Sequence, residues 1–284
     1  MDFSDMFTVT PMNQKITLEA GQTYTGSITV ANPVAATNDF IYKVEVTPYS
    51  VADGNYDVDF LTETERSQIV NWIMIENPTG TLKPNESTKV KFTITVPETA
   101  PPGGQYAMLA VSSAGSELGG GEITVTNIFE MGSILYAKVA GALIHDGQII
   151  DDQVPGFVTT MPIVTSATLS NDGNIHEEAR IALEVKSFFS SQMIYPQPGE
   201  SGAIDEMIMP GTTRYVTREI SDVVPLGIYE VTQTVSYMGN TSVIKKTVVA
   251  CPLWFMALVA ATITAIVLMI VRRVMRRRAA RRIL

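Results

Sequence analysis

Pro84-Asn85-Glu86-Ser87-Thr88-Lys89-Val90-Lys91-Phe92-Thr93-Ile94 reads as a turn followed by a strand buried on one face. Val90, Phe92 and Ile94 alternate with Lys89, Lys91 and Thr93, which is the two-residue period of a pleated chain. The stretch aligns without gaps on Pro210-Gly211-Thr212-Thr213-Arg214-Tyr215-Val216-Thr217-Arg218-Glu219-Ile220. Downstream, Pro102-Gly103-Gly104-Gln105-Tyr106 matches Pro225-Leu226-Gly227-Ile228-Tyr229. Upstream, Val30-Ala31-Asn32 before Tyr42-Lys43-Val44 matches Leu169-Ser170-Asn171 before Ile181-Ala182-Leu183. The three blocks keep their order in both halves. A proline turn, an alternating strand, a short loop and a Gly-x-Tyr strand supply the closing strands of a seven-stranded sandwich, with the tyrosine packing across a corner.

Outward from these blocks the period stays at two. Tyr24, Gly26, Ile28 and Val30 alternate with threonine and serine. Further runs are expected over 105–113, 122–139, 162–170, 179–186, 214–220 and 229–237, separated by Ala20-Gly21, Pro101-Pro102-Gly103-Gly104 and Asn171-Asp172-Gly173. Many short strands at this spacing predict an all-β chain of two tandem immunoglobulin-like β-sandwich domains. The expected domains cover 1–142 and 143–250, divided where His145-Asp146-Gly147 and Asp151-Asp152 interrupt the runs. Thr62 and Glu65 have capping-box spacing and Ile69, Trp72 and Ile73 fall on one helical face, so a two-turn helix is expected over 63–71. Trp72 then belongs to the core or serves as a ligand platform.

After the strands comes a different object. Leu253 to Val271 is a 19-residue run whose polar members are Thr262 and Thr264, followed at once by Arg272 and Arg273 and five more arginines by Arg282. At about 1.5 Å per residue it reaches roughly 28 Å, the thickness of a bilayer's hydrocarbon. A single membrane helix is expected over 251–271, anchored at Leu253, Trp254, Val271, Arg272 and Arg273, with a basic tail over 272–284. The arginines place that tail in the cytoplasm and the N-terminal domains outside, making this a single-pass plasma-membrane protein.

Before Cys251 lie 29 acidic and 13 basic residues, a net −16, whereas the tail carries +7. An acidic ectodomain excludes nucleic acid as a partner, and the tail is suited to anionic lipid headgroups. The first residues, Met1-Asp2-Phe3-Ser4-Asp5, lack the basic and apolar regions of a leader, so a mature chain with its signal peptide removed is expected. A lone Cys251 makes no internal disulfide.

No catalytic, cofactor or metal residues emerge. His145 and His176 have no neighbouring His or Cys at ligand spacing. Serines such as Ser112 lack a nucleophile elbow, and Gly119-Gly120-Gly121 reads as a hairpin. Asn171-Asp172-Gly173-Asn174 offers oxygens either to calcium or, more simply, to its own turn. The expected protein is therefore not an enzyme. For binding, the long connection from Ser187 to Met207 stands out. Phe188, Phe189, Tyr195 and Pro196 either form a partner-contact loop or close the bottom of the sandwich. In the membrane helix Ala257, Ala261 and Ala265 make a small-residue face for pairing, and hence for a homo-oligomer.

Phe7-Thr8-Val9-Thr10-Pro11-Met12-Asn13-Gln14, Leu18-Glu19-Ala20-Gly21-Gln22 and Ile28-Thr29-Val30-Ala31-Asn32 resemble the opening of the WxL-interacting proteins of Gram-positive cell surfaces, with Ala20-Gly21 standing where that family has Pro-Gly. The resemblance implies two β-sandwich domains, a membrane helix and a basic tail on a bacterial cell surface. It also implies a first domain contacting peptidoglycan and a second contacting a host or partner protein. The expected function is a non-catalytic, membrane-anchored surface protein that binds the cell wall or a protein partner. The competing expectations are a structural or assembly subunit of a larger membrane complex, and an accessory module of an enzyme.

Overall fold

The computed structural model describes residues 7–52, 56–113, 130–197, 199–221 and 223–280. The hairpin expected at Gly119-Gly120-Gly121 and the start of the run expected from 122 lie outside the described residues. Contacts divide the chain into two compact units. The first is Met1–Gly147 with Ser170–Glu177 and Met207–Arg214, and the second is Gln148–Leu169, Glu178–Glu206 and Tyr215–Leu284. The chain is mostly strand, as the two-residue periodicity requires, and ends in one long apolar helix.

The first unit pairs two sheets. One has the order β1 (Thr8–Thr10), β3 (Thr23–Ala31), β9 (Ser87–Thr95), β7 (Ile73–Ile75). The other runs β2 (Asn13–Leu18), β11 (Glu130–Val139), β10 (Gly103–Ser113), β4 (Phe40–Pro48), β8 (Thr79–Leu82). A small ribbon joins β5 (Ser50–Val51) to β6 (Val58–Asp59). Ile28, Val30, Val90, Phe92 and Ile94 of the first sheet share one buried cluster with Leu18, Val44, Leu109, Val111, Leu135 and Val139 of the second. That shared core is the physical meaning of the alternation quoted above. Aromatic side chains also fill the space over strand glycines. Gly26 lies opposite Phe92 and Gly80 opposite Tyr42 in the register, and a Cβ at either glycine would collide with its ring.

The second unit is built on a sheet of order β12 (Gly147–Gln153), β14 (Ile163–Asn171), β18 (Thr212–Ile220). Its other sheet has the order β13 (Phe157–Val158), β20 (Asn240–Ala250), β19 (Gly227–Tyr237), β15 (Glu177–Ser187), β16 (Met193–Tyr195), with β17 (Ala203–Ile208) also on β15. Ile163 and Ile220 from one sheet pack with Leu183, Val185, Val231 and Val248 from the other. Beyond β20, helix α1 (Leu253–Ala280) passes the expected boundary at Val271.

The matched blocks share more than their sequence. Asn32, just past β3, and Asn171, the last residue of β14, are both buried, and each amide donates to two backbone carbonyls: Asn38 (3.0 Å) and Leu82 (3.0 Å) for Asn32, Ile175 (2.8 Å) and Ile208 (2.9 Å) for Asn171. Leu82 and Ile208 stand two residues before the aligned prolines. The next aligned residues, Asn85 and Gly211, both adopt the left-handed region, at φ 66° and 72°.

One expected element needs correction. In place of a two-turn α-helix over 63–71, the chain forms a 3-10 helix at Gln68–Trp72, with no side-chain cap at Ser67. The cause is β10. The Tyr106 amide donates to the Arg66 carbonyl (2.7 Å), the Gln105 amide group donates to the Glu65 carbonyl (3.1 Å), and its oxygen accepts from the Ile69 N–H (3.3 Å). Carbonyls claimed by a neighbouring strand are not available to an α-helical first turn. Trp72 packs against the core cluster, half-buried.

Candidate functional site

β10 is buried on both faces from Gly103 to Val111. Its odd residues, Ala107, Leu109 and Val111, enter the core, while Tyr106 points the other way into a second apolar cluster with Tyr49, Tyr136 and Met209. Beside that cluster opens a cavity of about 340 Å³ lined by Tyr49, Val51, Tyr106, Met209 and Pro210, with Arg66 and Glu65 also on its wall. All of these residues belong to the first unit.

Most of the hydroxyls around the cavity are engaged. Tyr49 and Tyr136 share a hydrogen bond (3.3 Å) with their rings edge to face. The Tyr106 hydroxyl meets His176 Nδ1 (3.3 Å). Tyr56 donates to the Met207 carbonyl (2.7 Å) and accepts from the Met209 N–H (2.8 Å), under the Arg214 guanidinium at 4.1 Å from its ring centre. Burial holds the hydroxyls of Tyr56, Tyr106 and Tyr136 well above the ordinary tyrosine range, with the neighbouring Tyr49 adding to the effect on Tyr136. Neutral hydroxyls committed to partners fix shape and polarity; they are not poised to move protons. The cavity is suited to an apolar or aromatic group with an acceptor for Arg66, which itself donates to the Asn174 carbonyl (2.8 Å).

Tyr106 owes its position to Gly104, two residues earlier, where a Cβ would overlap the phenol oxygen. Gly104→Ala is therefore expected to expel the ring and cost about 2–3 kcal/mol, read as a lower urea midpoint by Trp72 fluorescence of the full chain in detergent. Tyr106→Phe keeps the ring and should lose about 1 kcal/mol. Equal losses for the two would show that the hydroxyl, not the ring, holds the site. The aligned Tyr229 has the same relation to Gly227, and its hydroxyl donates to the Val224 carbonyl (2.7 Å). That is the corner contact expected of both tyrosines; Tyr106 has traded it for His176.

The Asn171-Asp172-Gly173-Asn174 stretch closes on itself as a turn. Asn171 Oδ1 accepts from the Gly173 N–H (3.0 Å) and Asn174 Oδ1 from the Ile144 N–H (2.8 Å). Among the described residues no group of three or more His, Cys, Asp or Glu side chains gathers as a metal site. His145 lies on the surface with Nδ1 2.6 Å from Glu177.

The 187–207 connection is more ordered than a loop, because β16 and the start of β17 fall within it. Tyr195 is half-buried against the second unit's core, its hydroxyl accepting from Arg218 (2.8 Å), and Pro196 follows half-buried. Phe188 and Phe189 are edge to face at 5.4 Å and point outward, Phe189 being 81% exposed. The four residues thus separate into an inward and an outward pair. Ala257, Ala261 and Ala265 lie exposed along α1. Leu253, Trp254 and Val271 are also exposed, and none of the apolar window Leu253–Met275 is buried by the rest of the chain. Thr262 and Thr264 donate to the Leu258 and Ala260 carbonyls (both 2.8 Å), so the segment's two hydroxyls are satisfied within the helix. Cys251 is partly exposed at the end of β20.

No protein-family model matches the sequence, and no curated protein matches it. Solved structures with similar strand arrangements include the CsuC–CsuE chaperone–tip adhesion subunit pre-assembly complex of Acinetobacter baumannii, at 16% identity over 86% of this chain and 99% of that one, TM-score 0.39. The E. coli chaperone DraB has 12% identity over 84% and 96%, TM-score 0.39. A PapD-like domain of human CEP192 has 16% identity over 50% and 90%, TM-score 0.34.

Proposed function

We propose that this chain is a membrane-anchored, non-catalytic binding protein of the WxL-interacting type, whose β-sandwich units stand outside the membrane and contact cell-wall polymer or a surface protein. The observation that carries the reading is α1. The 19-residue apolar stretch from Leu253 to Val271, of which the chain buries none and whose hydroxyls are satisfied internally, gains stability where hydrocarbon covers it. The arginines that follow favour a cytoplasmic C-terminus and contact with anionic headgroups. The tyrosine-lined cavity supports a binding role, since its shape is fixed by buried, partnered groups and its wall carries one cation, Arg66, to orient a guest.

Two measurements on the full chain in intact bacterial cells test this. A membrane-impermeant amine reagent should label the ectodomain lysines before lysis, and an impermeant cross-linker should retain peptidoglycan fragments or a surface protein on the chain. Lysines protected until lysis would reverse the orientation. Labelled lysines with neither cross-linked product would remove the binding role and leave the anchor.

A further inference from the structure

The strand register brings several chain segments to one end of the second unit. β20 ends at Ala250, and its last residues pair with Gly227 and Ile228 of β19 and with Phe157 and Val158 of β13. β15 ends beside them, since Ser187 pairs with Tyr229 and the Phe188 N–H donates to the Ile228 carbonyl (3.0 Å). The turns at 155–162, 187–192 and 221–228, counted with β13 and the flanking ends of β15 and β19, therefore lie at the end of the sheet where the chain passes through Cys251 and Pro252 into α1. Two residues reach at most about 10 Å from strand end to helix start.

The composition of this rim is unlike the rest of the ectodomain. Of the 28 residues in the three turns and in 251–256, Asp222 alone is charged, whereas 42 of the 250 residues before Cys251 are. At the average density about five would be expected. The same segments expose large apolar side chains: Phe189, Val224, Phe157 and Phe188, continuous along the chain with Leu253 and Trp254. A soluble domain of net −16 gains nothing by turning phenylalanines to water at an end whose connections carry a single charge. A bilayer interface, which favours aromatic rings and repels carboxylates, accounts for both features.

We propose that this rim is a second membrane contact: Phe157, Phe188, Phe189 and Val224 insert into the interfacial layer of the bilayer that α1 crosses. The second sandwich is thereby held against the membrane and not merely tethered to it. The outward Phe188–Phe189 pair then takes lipid as its partner. The inference rests on reading α1 as a membrane span, and the experiment separates the two.

Three single-tryptophan versions of the full chain are reconstituted in phosphatidylcholine–phosphatidylglycerol vesicles with acyl chains brominated near the glycerol. The first keeps Trp254 alone (Trp72→Phe). The second carries Phe189→Trp with Trp72→Phe and Trp254→Phe. The third carries Asn240→Trp in that same background, at the opposite end of β20, roughly 33 Å away along the strand. Rings lying about 5–10 Å into the headgroup–acyl boundary fall within reach of bromine and should lose about half of their emission. Quenching in the first and second versions but not the third is expected. Quenching in the first alone, or equal quenching in the second and third, overturns the rim contact and leaves the anchor. No quenching in the first overturns the anchor, and the rim contact with it.

Discussion

Asn171→Ala is expected to lower the stability of the first unit by about 3–5 kcal/mol, and Asn32→Ala by about 2–4. Each removes a buried amide that saturates two backbone carbonyls, and an acceptor left dry and unpaired costs about 1–3 kcal/mol. Asn171 loses a third bond, to the Gly173 N–H, and is fully buried, while Asn32 is 4% exposed. Asn171 should therefore be the more costly of the two. Asn→Asp at either position keeps the shape but turns a donor into a charged acceptor facing two carbonyls, and should be worse than alanine. Urea unfolding of the full chain in detergent, followed through Trp72 in the first unit, measures all four variants. A loss below about 1 kcal/mol for Asn171→Ala would show that water takes the place of the amide, which needs room and two to four polar partners at the site.

The same two asparagines mark how far the sequence could be read. The strands that lead into them were legible because one face of each is buried, Ile28 and Val30 in β3 and Ile163, Ala167 and Leu169 in β14, and the alternation follows directly from that. The repeat was legible because the turn at Asn85 and Gly211 demands a residue that tolerates positive φ after proline. The hydrogen bonds that the aligned asparagines make were not, since their acceptors lie up to 50 residues away, as Leu82 does from Asn32. The 3-10 helix at Gln68–Trp72 is illegible for a like reason: the local pattern favours an α-helix, and a strand 36 residues downstream imposes the tighter turn. β16 fell between signals, because a three-residue edge strand is too short to show a period, whereas Phe188 and Phe189 stood out through the length of the connection that carries them. The cavity left no trace at all. Tyr49, Tyr106, Tyr136 and Met209 come from four separate parts of the chain, and even Tyr106, legible as a corner tyrosine, carries no sign of the other three.

Two arginines in α1 should abolish its membrane insertion, whereas one should leave it balanced. Of the 19 residues from Leu253 to Val271, ten are Leu, Ile, Val or Phe. At about −0.3 to −0.6 kcal/mol each in a helix centre they favour insertion by roughly 3–6 kcal/mol, while a central arginine costs about 2.5–3.5. Ile263→Arg alone is offset by the remaining apolar residues, and its long stem reaches toward the headgroups, so the full chain should divide between carbonate-resistant and extractable fractions. With Val267→Arg added, one helical turn on, eight of the ten apolar residues remain and favour insertion by roughly 2–5 kcal/mol, while the two arginines cost about 5–7, so nearly all the chain should become extractable. The substituted residues are exposed on a helix from which the sandwich units take no cover. The urea midpoint of the first unit should therefore not move, and this separates lost insertion from lost folding. An extractable parent chain would mean that α1 is covered by a partner protein instead of lipid. In that case the double variant should lose the partner while the parent keeps it.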